Sequence, residues 1–76
     1  MMSNQEIEKI KIRDVKVGDE ITLDEFGQPK YRVDKIEEDH KILGFIKARY
    51  VVVDMGNGHL YGKKFGLKKP IKRAVI

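Results

Sequence analysis

Arg49-Tyr-Val-Val-Val-Asp-Met-Gly-Asn-Gly-His-Leu-Tyr-Gly-Lys-Lys-Phe65 decides the fold class of this 76-residue chain. Two runs rich in β-branched and aromatic residues flank Gly56-Asn57-Gly58, and glycine and asparagine tolerate the positive φ that a tight hairpin turn demands. The stretch predicts a β-hairpin. With Gly56 and Asn57 at the turn centre, Asp54 opposes His59, Val53 opposes Leu60, Val52 opposes Tyr61 and Val51 opposes Gly62, so that Val53 and Leu60 share one face. With Asn57 and Gly58 at the centre, Val51 opposes Lys64 and every other pair changes with it.

Working outward from the hairpin, the turn signals divide the chain into short extended pieces. Downstream, Phe65-Gly-Leu-Lys-Lys-Pro70 reads as a turn, with room for one turn of 3₁₀-helix, and residues 71–76 as a closing strand. Upstream, residues 41–48 read as a central strand interrupted by a bulge or break at Gly44, and Glu37-Glu38-Asp39-His40 as a polar turn. Tyr31, Val33 and Ile36 begin the strand before it. Gly27 and Pro29 make residues 24–29 a loop, and Gly18 turns the chain into a strand over residues 20–24. Ile10 and Ile12 alternate with Lys9, Lys11 and Arg13, which predicts a strand around residues 7–12. Ser3 and Glu6 have the spacing of a helix capping box, and residues 1–6 are expected to be frayed. The count is five or six short strands with little helix, in one domain over residues 1–76, with no repeat or linker.

Composition narrows the function classes. No cysteine is present, so disulfides and thiolate metal sites are excluded and stability must come from packing and sheet hydrogen bonds. No apolar run approaches the ~20 residues of a spanning helix. The charged start of the chain lacks the apolar stretch of a secretory signal, so the expectation is a cytoplasmic protein without membrane contact. Residues 1–54 carry ten Lys or Arg against twelve Asp or Glu, a net of −2, whereas residues 55–76 carry six basic groups and no acid. That asymmetry predicts a cationic surface in the C-terminal third. Lysines on late strands also protect a sheet edge from aggregation, so charge by itself does not distinguish the two roles.

The residues Val17-Gly18-Asp19-Glu20-Ile21, Gly27, the strand over residues 33–36 and Leu67-Lys68-Lys69-Pro70 together resemble the SH3-like barrels. The likeness is to the KOW and Tudor-like branch of bacterial and phage proteins and covers most of the chain from Val15 onward. Where a KOW motif has a glycine near its second strand, this chain has Tyr31 and Arg32. The resemblance implies a mainly β, SH3-like barrel of five or six short antiparallel strands. It leaves function to the site residues.

The inventory for catalysis is thin. Ser3 and Thr22 are the candidate hydroxyl nucleophiles, and His40 and His59 each sit beside a turn without a sequence-assigned partner. Glu38, Asp39 and His40 are adjacent residues whose side chains point apart on an extended chain, so they do not predict a metal shell. No phosphate loop, dinucleotide fingerprint or calcium loop is present. The expectation is a non-enzymatic binding module without a cofactor.

Nucleic acid is the preferred partner, with Lys63, Lys64, Lys68, Lys69, Lys72 and Arg73 as phosphate contacts and Tyr61 as a stacking platform. Tyr61, Lys63 and Phe65 alternate along one strand face, and sharing it with Tyr50 would give a single strand rings to stack on. In a domain this small, three aromatics on one face more often form the core, although Lys63 in the same row argues against complete burial. The alternative is a protein-binding accessory or phage-type inhibitory module, including one that forms a homodimer through an edge strand.

Overall fold

The hairpin between residues 49 and 65 forms, in a register that differs from both expected ones. Gly56, Asn57 and Gly58 all have positive φ, at 95°, 55° and 78°, which glycine and asparagine alone adopt at low cost. The loop therefore holds three residues rather than two. It closes through the Met55 amide donating to the His59 carbonyl at 2.8 Å and the His59 amide to the Gly56 carbonyl at 3.0 Å, while the Asp54 carboxylate accepts the Gly56 amide at 2.8 Å. Asp54 then opposes Leu60, Val53 opposes Tyr61, Val51 opposes Lys63 and Arg49 opposes Phe65. The odd loop length puts Tyr61, rather than Leu60, on the Val53 face. Tyr50 consequently lies on the opposite face from Tyr61, Lys63 and Phe65, so the four residues do not form one surface.

The computed structural model describes residues 6–23 and 31–75. Its elements are β1 (Glu6–Lys11), a 3₁₀ turn (Ile12–Asp14), β2 (Glu20–Ile21), β3 (Tyr31–Ile42), β4 (Ile46–Asp54), β5 (Leu60–Gly66) and β6 (Pro70–Val75). The six strands make one antiparallel sheet in the order β1-β6-β2-β3-β4-β5. Neighbours from β2 to β5 follow one another along the chain, and the last strand inserts between β1 and β2. The 3₁₀ turn lies after β1; residues 67–69, where one was expected, form a simple turn. Ser3 of the expected cap and the loop over residues 24–29 fall outside the described residues, and Glu6 opens β1.

Two expectations about residues 37–48 are corrected. Glu37 to His40 is not a turn but part of β3, and the break expected at Gly44 is a complete hairpin tip, Leu43-Gly44-Phe45, that divides residues 41–48 between β3 and β4. The reason lies in two register shifts on β3, one between Val33 and Lys35 and one between Glu37 and His40. Val33 and Ile36 are three apart, which a strict period of two cannot put on one face. The extra residue of the first bulge brings both toward the core. At the second, Asp39 adopts φ 63°, absorbing the extra residue and increasing local twist.

Val33, Val51, Val53, Phe65 and Ile71 meet Ile12, Val15 and Ile21 in a single core, with Ile10, Leu23, Tyr31 and Ile36 packed at its margin. Burial of each large side chain contributes about 1.5–3 kcal/mol, so the inward face of β3–β4–β5 and the 3₁₀ turn are the principal apolar contributors. The β5–β6 turn bonds to the segment after β1 and to the start of β4. The Ile12 amide donates to the Lys69 carbonyl at 2.9 Å, the Arg13 amide to the Leu67 carbonyl at 3.1 Å, and the Leu67 amide to the Lys47 carbonyl at 3.3 Å.

Candidate nucleic-acid interface

The expected cationic residues divide by side-chain type. Arg73, on β6, is taken up internally. Its Nε donates to Glu8 at 2.8 Å, its Nη2 meets the same carboxylate, and its Nη1 donates to Asp19 at 3.1 Å. Those bonds, Glu8 first, hold the guanidinium above its ordinary pKa against the opposing effect of burial. Asp19 also accepts the Lys16 amide at 2.8 Å, so the cluster ties β1, β6 and the approach to β2 together.

The five lysines are placed differently. Among the described residues, none of Lys63, Lys64, Lys68, Lys69 and Lys72 has a carboxylate within ion-pair distance. Lys63 stands over the Phe65 ring, its Nζ 5.7 Å from the centroid, and Lys64 donates to the Lys41 carbonyl at 3.3 Å. Lys68 and Lys69 are exposed on the β5–β6 turn. Lys72 directly opposes Lys9 across the β1–β6 ladder, on the face turned away from Ile10 and Ile71.

The geometry recruits residues that the sequence left in other roles. Lys9 and Lys11 share the outward face with Lys72, and Lys41 opposes Lys47 at the neck of the β3–β4 hairpin. The β5–β6 turn joins these two groups, since it bonds to Ile12 and Arg13 on one side and to Lys47 on the other. Lys11, Lys68, Lys69 and Lys47 thus gather around the β5–β6 turn, with Lys41 and Lys64 beyond Lys47, while Lys9 and Lys72 lie farther along β1 and β6, where the Lys72 carbonyl accepts the Thr22 amide beside β2. The alternation of Lys9 and Lys11 was visible in sequence; their partner strand, sixty residues away in the chain, was not.

Tyr61 sits elsewhere. It opposes Val53 near the three-residue loop, at the far end of β5 from the Lys68 turn, and is 42% exposed, while Phe65 is 5% exposed and belongs to the core. Tyr50, on the outer face, rests over Gly62, where a Cβ would collide with its ring and hydroxyl, and packs beside His40 with centroids 5.6 Å apart. His40 Nε2 lies 3.1 Å from Glu37 Oε1. Lys35 first, and then His40, lower the Glu37 pKa below its ordinary 4.5 by hydrogen bonding.

A second arginine is structural. Arg49 Nη1 donates to the carbonyls of Ile12 and Val15 at 3.0 and 2.9 Å, and its Nε and Nη2 grip Glu38 at 3.0 and 2.7 Å. An open hollow of about 320 Å³ lies between Val17, Gly18, Val33, Arg32, Asp34 and Asp54, and holds none of the expected site residues. Among the described residues, no group of three or more His, Asp or Glu is placed to hold a metal ion, and no helix is long and apolar enough to cross a membrane. Comparison with protein-family models, with curated proteins and with solved structures finds no match for this chain.

Proposed function

We propose that this chain is a non-enzymatic nucleic-acid-binding module whose sheet curls into an SH3-like barrel. Supporting the barrel are the insertion of β6 between β1 and β2, the β2–β5 meander, and the bonds of the Leu67–Lys69 turn to Ile12 and Arg13 beyond β1 and to Lys47 of β4. The two bulges on β3 supply the bend that closure requires.

The observation that carries the binding reading is a pair of like-charge juxtapositions. Lys9 faces Lys72, and Lys41 faces Lys47, directly across antiparallel ladders. Opposed like charges destabilise a sheet, so neither pair stabilises its own ladder, and both add to the positive potential of the strands that flank the Lys68–Lys69 turn. Phosphates relieve that repulsion and release their counterions on binding. Fluorescence anisotropy of a labelled oligonucleotide over a series of salt concentrations tests it. Lys68→Gln with Lys69→Gln should make the log–log slope shallower by about 0.7 per lysine for a single strand, and Lys68→Glu with Lys69→Glu should weaken binding further. Unchanged affinity in the charge-reversed protein would reject the reading.

A second reading, a protein partner or a second copy, rests on β5. It closes one side of the strand order and, among the described residues, pairs only with β4, leaving an edge that accepts an added strand. Nuclease treatment of a purified native complex separates the readings: a partner retained after digestion is bound through protein contact.

A further inference from the structure

We infer that Phe45, at the tip of the β3–β4 hairpin, is the base-stacking residue, and that the ligand is accordingly a single strand. This rests on the nucleic-acid reading above and moves the stacking role from Tyr61 to the opposite end of the molecule.

The tip is built against the interests of folding. Leu43 and Phe45 are 78% and 74% exposed, so neither side chain gains from burial. Leu43 also adopts φ 56°, a left-handed conformation that is uncommon for a branched, bulky residue and cheaper for glycine or asparagine. Such a combination is found where a protruding apolar group is wanted for contact.

Its surroundings identify the contact. Lys47 lies two residues beyond Phe45, about 7 Å along the strand, with Lys41 opposed to it and Lys64 bonded to the Lys41 carbonyl. An open aromatic face among ammonium groups that have no carboxylate partner among the described residues is what stacks a base while its phosphate is held. The bases of a duplex already cover one another's faces. A duplex lying back along the hairpin would also carry its phosphates toward Glu37, Glu38 and Asp39. A single strand passing over the tip avoids those carboxylates and can follow the cations onward through Lys68 and Lys69 to Lys11, Lys72 and Lys9. A flat anionic bilayer meets the tip but not that path, which turns onto the outward face of β1 and β6.

The chain contains three tyrosines but no tryptophan, so Phe45→Trp creates a single tryptophan, excited selectively at the red edge of protein absorption, at an exposed position that leaves the core untouched. Titration with oligothymidine should quench its emission saturably, with the quenching relieved by salt and by Lys68→Glu with Lys69→Glu. In the otherwise native chain, Phe45→Ala should lower single-strand affinity about tenfold at unchanged thermal midpoint. If the oligonucleotide binds, is released by the charge reversal, and leaves both Trp emission and Phe45→Ala affinity unaltered, this inference falls while the nucleic-acid reading stands. If the oligonucleotide does not bind, both fall. A blue shift with phosphatidylserine vesicles but no quenching by oligothymidine would assign the tip to lipid. A shift that depends on protein concentration alone would assign it to a second copy. Either overturns the inference.

Discussion

Arg49 and the lysines show how residue chemistry separates structure from function here. A guanidinium offers a rigid fork of donors, and Arg49 spends that fork on Glu38 and on the carbonyls of Ile12 and Val15, fastening the 3₁₀ turn to β4. Replacement by methionine keeps the stem but orphans the Val15 carbonyl and takes one of two donors from the Ile12 carbonyl, which the Val15 amide still serves. The expected loss is about 2–4 kcal/mol in urea unfolding. Glu38→Gln should cost under about 1 kcal/mol, because that carboxylate is mostly exposed and its pairing is screened. Equal losses in the two variants would mean that the ion pair, rather than the carbonyl bonds, holds the turn. None of this was legible beforehand. The partners lie 34 and 37 positions from Arg49 in the chain, and the side-chain direction of Glu38 depends on the bulge at Asp39. The lysines, by contrast, were legible as charge because no acid follows Asp54. Arg73 was counted among them and is instead held by Glu8 and Asp19, a distinction that only cross-strand pairing reveals.

The two hairpins show what turn chemistry does and does not disclose at the level of the element. Gly56-Asn57-Gly58 announces itself because each of its residues suits positive φ, and the only error was one of register: three left-handed residues require a three-residue loop. Leu43-Gly44-Phe45 discloses a break at its glycine but not a hairpin tip, since only that residue is a turn former and apolar neighbours mimic a buried strand. Local preference and observed conformation disagree at Leu43, and such conflicts concentrate where a site has been favoured over stability. Substituting a leucine by glycine normally destabilises a protein. Leu43→Gly is expected to leave the urea midpoint unchanged or raise it by up to about 1 kcal/mol equivalent, since relief of the left-handed strain offsets the added chain entropy. Gly58→Val, at φ 78°, should instead cost about 1–2 kcal/mol. A clear loss on Leu43→Gly would mean that the side chain packs in the native state, removing the strain argument for the tip.

At the scale of the whole molecule, the long axis of 49 Å has chemically different ends. One carries the β3–β4 tip and the other the Met55–His59 loop and Tyr61, and β6 runs from the Lys68–Lys69 turn toward β2, whose Ile21 pairs with both Arg73 and Tyr31. Sequence showed the positive charge of residues 55–76 but not that Lys9, Lys11, Lys41 and Lys47, from the net-acidic part of the chain, join it. Charge summed along a chain cannot reveal which strands a sheet will place side by side. The consequence is a directional prediction for nuclear magnetic resonance. On addition of a short oligothymidine, amide shifts should change around residues 9–12, 41–47 and 64–69, and stay within error around Gly18 and across residues 54–61, which border the hollow or the distal loop. Raising the salt should return all the moving signals together, because the same released counterions couple them. If shifts instead centre on Tyr61 and Lys63, the strand binds at the distal end, and the lysine pairs Lys9 with Lys72 and Lys41 with Lys47 require another explanation.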